Sequence, residues 1–236
     1  MKQDPVKPTR WLESVNCAIE GILWAARTQK HLRWHLVVAA AVLAAALYFR
    51  VPAIELMLLA SAITLVVFAE LMNTAVEIVV DMVCPGPDPR ARRAKDVAAG
   101  AVLLASIGAA ALGYFVFSRY LVPRVGQRLE PYQHIPGETA VIAVLAVTIL
   151  VVLFKARLGR GTPLHGGMPS GHAAVAFSIA TSVALAQVSL VIIILAMVLA
   201  TMVSHSRLLM GIHSVGEVLA GAGLGIVLTL IIHLLL

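Results

Sequence analysis

The last third of the chain holds side chains whose types and spacing suit phosphoryl transfer. Pro169-Ser170-Gly171-His172 is followed by Ser206-Arg207, then His213 after five residues and Glu217 after three more. In-line transfer of a phosphoryl group spreads negative charge over equatorial oxygens. Its catalyst needs cations, N–H donors, a nucleophile and a proton donor. Lys155, Arg160 and Arg207 supply positive charge. Ser170 and Gly171 sit where a helix would open, a natural place for hydroxyl and backbone donors to meet an anion. His213 can attack phosphorus if a carboxylate orients its other ring nitrogen, and Glu217 lies four residues on, on the same face of a helix. His172 can protonate the leaving oxygen. His31, His35, His134, His165, His205 and His233 lack such companions and read as structural.

A second constellation lies upstream. Glu70, Asn73, Glu77 and Asp81 are spaced three, four and four apart within TLVVFAELMNTAVEIVVDMV. On a helix they form one stripe. Four such groups cannot face lipid cheaply, so they must face protein, water or a cation. Two carboxylates one turn apart suit a hard ion such as Mg²⁺, which takes oxygen ligands and shares them with substrate phosphates. The plainer alternative is a polar seam between packed helices. Lys95 can reach phosphate oxygens. Asp96 reads as standing near a helix start, where a carboxylate is favoured; a helix cap with a flanking basic residue would look the same.

The elements that carry these residues are membrane helices. Of 236 residues, 60% are hydrophobic and 13% charged, and the mean hydropathy is +0.94. An all-α integral membrane protein is expected. Apolar segments at 36–50, 54–80, 96–118, 138–154, 171–187, 189–205 and 217–236 predict six or seven spans. Residues 11–26 repeat apolar side chains at intervals of three and four and predict an amphipathic surface helix. The basic, proline-broken N-terminus is not a cleavable signal. Pro85, Gly86, Pro87 and Pro89 predict a tight loop over 84–95. Three prolines, two glycines and several charges predict a linker at 119–137, dividing the chain into 1–118 and 138–236. Cys17 and Cys84 lack metal-ligand spacing and imply no disulfide framework.

The net charge of +6 does not point to nucleic acid, because Lys and Arg cluster beside spans. With a cytoplasmic N-terminus and seven spans, segments 1–35, 82–95, 155–170 and 206–216 hold 14 of the 18 Lys and Arg residues. Arg50, Arg119, Arg124 and Arg128 fall on the other side. Both constellations are then expected on the cytoplasmic face of the membrane.

Asn16-x3-Glu20-Gly21, AELMNTAVEIVVD at 69–81 and AKDVAAGAVLLA at 94–105 resemble the small prokaryotic diacylglycerol kinases, a family that includes undecaprenol kinases. The resemblance implies a three-span bundle with a surface helix, a homotrimer, and ATP·Mg²⁺ chemistry on a lipid alcohol. It makes Glu70 the general base and Glu77 a metal ligand, with Asn73, Asp81, Lys95 and Asp96 around substrate and nucleotide. The family's second metal-binding glutamate aligns with Gln29, a poorer ligand. No Walker-type loop is present.

The downstream motifs resemble the type 2 phosphatidic acid phosphatase superfamily, whose signature is Lys-x6-Arg-Pro, Pro-Ser-Gly-His and Ser-Arg-x5-His-x3-Asp. The chain has Lys155-x6-Thr162-Pro163, Pro169-Ser170-Gly171-His172 and Ser206-Arg207-x5-His213-x3-Glu217. This implies a four-span phosphatase-like bundle that needs no cofactor, with a phosphohistidine formed on His213. Thr162 departs from the signature arginine, and Arg160 is near enough to substitute. Glu217 is one methylene longer than the usual aspartate. A kinase and a phosphatase on one lipid would only consume ATP. Two substrates with one product make sense of the pair: undecaprenol plus ATP, and undecaprenyl diphosphate minus phosphate, both give undecaprenyl phosphate. Diacylglycerol with phosphatidic acid, or a non-catalytic first half serving as an oligomerisation scaffold, are the alternatives.

Overall fold

The computed structural model describes residues 11–121, 136–158 and 167–236. Among them every regular element is an α-helix. The order is α1 (Trp11–Thr28), α2 (Lys30–Tyr48), α3 (Ala53–Val83), α4 (Pro89–Leu121), α5 (Pro136–Leu158), α6 (Gly171–Leu185), α7 (Leu190–Leu209) and α8 (Val215–Leu235). Six are long and apolar enough to cross a membrane: α2, α3, α4, α5, α7 and α8. The protein is thus a multi-pass helical membrane protein. α6 has 15 residues and is about 22 Å long. The chain divides into two compact units, Met1–Arg124 and Val125–Leu236.

In the first unit α3 packs along α4, and α2 packs on α3. Ala46, Leu59 and Val116 are buried together, with Val42, Val51, Leu56, Leu112 and Phe117 against them. The α2–α3 corner follows from local hydrogen bonding. Arg50 takes a left-handed φ of 51°, Val51 N–H bonds Ala46 C=O at 3.0 Å and Arg50 N–H bonds Leu47 C=O at 3.2 Å. These are the two bonds of a Schellman ending, and Pro52 prevents the helix from resuming directly. Beyond the corner Arg119 Nη1 lies 3.1 Å from Glu55 Oε1. α1 leaves Trp11, Leu12, Ile19, Leu23 and Trp24 exposed, as an interfacial helix would.

The loop expected at 84–95 is shorter. α4 starts at Pro89, because proline is tolerated in a first helical turn and Arg-Ala-Arg-Arg-Ala-Lys favours helix. Asp96 therefore stands two turns inside α4 and not at its start.

In the second unit α6 is surrounded by α5, α7 and α8. Val147, Val151 and Ala174 form its core with Val175, Leu224 and Leu228. Buried Ser178 and Thr229 bond each other at 2.8 Å across α6 and α8. The two helices nearly touch at their backbones. A Cβ on Gly221 would lie 2.3 Å from Ser170 O, and one on Gly225 would lie 2.2 Å from Ala174 O. Close approach through paired small residues is a recurring way for helices to associate in lipid.

Gly225→Val should force α6 from α8, since the obstructing atom is backbone and cannot turn aside. Phosphatase assays and thermal unfolding of the purified protein should show lost phosphate release and a lower melting temperature. The Gly223→Val control, where a Cβ meets nothing within 4 Å, should leave both near wild type.

Candidate active sites

The second-unit site is built at the start of α8. Ser214 is the N-cap, with extended φ −79° and ψ 161°, and Glu217 is the third helical residue. They form a capping box. Ser214 Oγ accepts from Glu217 N–H at 3.4 Å, and Glu217 Oε2 accepts from Ser214 N–H at 3.1 Å. The same Oε2 lies 2.8 Å from His213 Nδ1. A carboxylate can only accept, so Nδ1 is the donor in this contact. His213 is 6% exposed, and its Nε2 is buried without a hydrogen bond among the described residues. His213 precedes the helix, so the pair is not a contact along one helical face as the spacing suggested. The cap's extended residue turns the histidine back onto the first turn.

Neighbouring elements close around this pair. Gly167, at φ 84°, turns its backbone amide toward the Glu217 carboxylate. Arg207 stands in the last turn of α7, and its C=O accepts from Ile212 and His213 N–H at 3.2 and 3.3 Å. The turn, with Gly211 at φ 64°, thereby fixes arginine and histidine together. Arg207 Nε is buried without a partner among the described residues. His172, half-buried in the first turn of α6, lies near Arg207, His213 and Lys155. Glu217 in turn acts on Lys155, in the last turn of α5. Lys155, His172, Arg207, His213 and Glu217 thus converge.

Two expected phosphate contacts are otherwise engaged. Ser170 is fully buried; its N–H donates to Glu217 C=O at 2.9 Å and its Oγ caps α6 by accepting from Ala173 N–H at 3.5 Å. Its backbone amide is spent on the α8 contact. Gly171 opens α6 beside it. Ser206 Oγ donates to Val203 C=O at 2.7 Å. Arg160 and Thr162 lie outside the described residues.

In the first unit the acidic stripe of α3 resolves into pairs. Glu70, 5% exposed, places Oε1 3.1 Å from Nε2 of His35 on α2. Asn73 Nδ2 donates to Glu77 Oε1 at 3.0 Å. Asp81 Oδ1 meets Lys95 Nζ of α4 at 2.5 Å. Asp96 faces Arg92 at 3.9 Å, both largely exposed, a contact worth little. Gln29 is the extended residue between α1 and α2, and its side chain makes no cap bond. Among the described residues no three His, Cys, Asp or Glu side chains converge on one point. Mg²⁺ needs only one or two protein carboxylates when phosphates supply the rest, so Glu77 on this stripe fits that requirement. His35, read from sequence as structural, is the residue that reading missed. The signal was available: it is the only ionisable side chain of α2 between Arg33 and Tyr48, and a buried carboxylate on a packed neighbour needs a partner.

The family model for prokaryotic diacylglycerol kinase matches residues 16–117, and that for the PAP2 superfamily matches residues 100–236. Undecaprenol kinase of Bacillus subtilis is 34% identical over 108 residues, 46% of this chain and 88% of that protein. The chain belongs to both families. It is a kinase-family domain fused to a phosphatase-superfamily domain, and the two matches overlap within α4. Diacylglycerol kinase of Synechocystis is 40% identical over 116 residues, 46% of this chain but only 66% of that protein. No solved structure matches the chain.

In the PAP2 domain, Glu217→Gln should keep the acceptor for Nδ1 in place but offer no charge to an imidazolium. Steady-state phosphate release should fall by about 10²–10⁴-fold. Circular dichroism should show the helix content unchanged.

Proposed function

We propose that the chain makes undecaprenyl phosphate by two routes: phosphorylation of undecaprenol with ATP, and removal of phosphate from undecaprenyl diphosphate. The observation that carries the reading is the coexistence of two separate polar sites, each built from its own family's motif residues.

In the phosphatase reaction His213 Nε2 attacks the terminal phosphorus. The bond to the bridging oxygen breaks, the lipid monophosphate leaves with the electron pair, and His172 protonates the departing oxygen. Glu217 holds Nδ1–H and offsets the charge of the phosphoimidazolium. Lys155 and Arg207, with Gly171 nearby, hold the equatorial oxygens; Arg160 would stand in for the arginine absent at Thr162, and Ser206 supports the end of α7. Water then attacks the phosphohistidine, His172 takes its proton, and inorganic phosphate departs. No metal enters this scheme.

In the kinase reaction Glu70 accepts the proton of the alcohol as its oxygen attacks the γ-phosphorus of ATP and ADP leaves. Lys95, Asn73, Asp81 and Asp96 surround the nucleotide and acceptor. Glu77, with Gln29 as a weak second ligand, would hold Mg²⁺, which when bound neutralises charge on the transferring phosphate. We further propose a homotrimer in a bacterial inner membrane, with a cytoplasmic N-terminus and both sites cytoplasmic. The distribution of Lys and Arg supports that orientation. The name of the Synechocystis relative favours diacylglycerol as a second candidate acceptor, and Gln29 favours a scaffold role for the first domain.

The deciding assay scores undecaprenyl phosphate from purified protein given undecaprenyl diphosphate in one sample and undecaprenol with Mg·ATP in another. Product in both supports the proposal. Product only from the diphosphate sinks the kinase half and leaves a phosphatase on a scaffold; phosphorylation of diacylglycerol but not undecaprenol changes the acceptor. His213→Ala should abolish phosphate release and spare phosphorylation, and Glu70→Ala should do the reverse. Gln29→Glu should lower the Mg²⁺ concentration giving half-maximal kinase rate.

A further inference from the structure

We infer that His35 is a positioning residue for the kinase reaction, holding the Glu70 carboxylate so that its second oxygen meets the acceptor hydroxyl. This rests on the lipid kinase reading above. Glu70 is 5% exposed, and among the described residues His35 Nε2 is the partner of its side chain, at 3.1 Å from Oε1. An ionised carboxylate in an apolar seam is costly unless it is paired. The close contact of Nε2 with Oε1 restrains the carboxylate, and Oε2 remains for the substrate.

The pair sits at a junction. His35 lines a cavity of about 420 Å³ between α2, α3 and α4, within the usual range for small-molecule sites. On α3 the lining runs through Leu59, Ile63 and Val66, and the next position on that stripe is Glu70. Past Glu70 the same face turns polar, through Asn73 and Glu77. A lipid alcohol has that profile: an apolar body, then one hydroxyl, which must meet the phosphoryl donor on its polar side. A histidine held only to fill space would not need to stand where the apolar wall ends.

In the step, the alcohol oxygen forms its bond to the γ-phosphorus and the bond from that phosphorus to the β–γ bridging oxygen breaks. ADP leaves with the electron pair, and the alcohol proton passes to Glu70 Oε2. His35 acts by orientation. A displaced reacting group costs up to about 100-fold in rate.

The test uses the full chain in detergent or vesicles and follows ATP-dependent phosphorylation of undecaprenol and of diacylglycerol. His35→Ala should lower kcat by roughly 10–100-fold with a much smaller change in the KM for ATP. His35→Gln, whose amide N–H reaches where Nε2–H stood, should recover much of the loss. In a Glu70→Gln background, His35→Ala should have little further effect, because residues that act through one another are not additive. Phosphate release by the other domain reports that each variant is folded. Wild-type kcat in His35→Ala overturns the inference, as does equal loss in the Ala and Gln variants. A wild-type protein that phosphorylates no lipid alcohol overturns the kinase reading itself, and this inference with it.

Discussion

A carboxylate on an apolar helix must find its partner inside the protein, because lipid offers none. That constraint organises both units. It draws His35 of α2 to Glu70 and Lys95 of α4 to Asp81, and ties Arg119 to Glu55 at the other end of α3. In the second unit it joins His213 to Glu217 and Ser178 to Thr229. Greasy contacts alone distinguish poorly between helix registers in a membrane, since lipid tails are as apolar as leucine. The polar pairs select the register, and the same pairs are the groups with chemistry to offer.

The second unit adds steric selection. α6 and α8 approach until Ser170 and Ala174 carbonyls occupy the space a side chain would need at Gly221 and Gly225. That approach lets Ser170 N–H reach Glu217 C=O at 2.9 Å. The start of α6, with His172, and the start of α8, with Glu217, are therefore locked to one another by main chain. Arg207 is brought in by the turn after α7. The parts of this site are brought together by backbone contacts.

Much of this was legible in the sequence because it is periodic or local. The α3 stripe, the surface helix and the apolar segments follow from spacing. The motif residues from His172 to Glu217 announced their chemistry by type and order. Local signals also existed for features that spacing misjudged. Ser214-x-x-Glu217 is a capping-box pattern and places the start of α8 after His213. Gly221-x3-Gly225 is a close-packing pattern. Pro89 could begin a helix as well as end a loop. The His35–Glu70 pairing was different in kind: thirty-five positions separate the two, and only the packing of α2 on α3 brings them together. The engagement of Ser170 N–H and Ser206 Oγ was likewise invisible, because sequence shows what a residue can donate but not to whom.

One carboxylate oxygen, Glu217 Oε2, receives both the cap of α8 and the ring of His213. The helix start and the orientation of the His213 ring are consequently one event. While the first turn of α8 is wound, the histidine ring is held at Nδ1; when that turn frays, the ring loses its tether. The set of the histidine ring is thus a readout of local folding, sensed at a single atom.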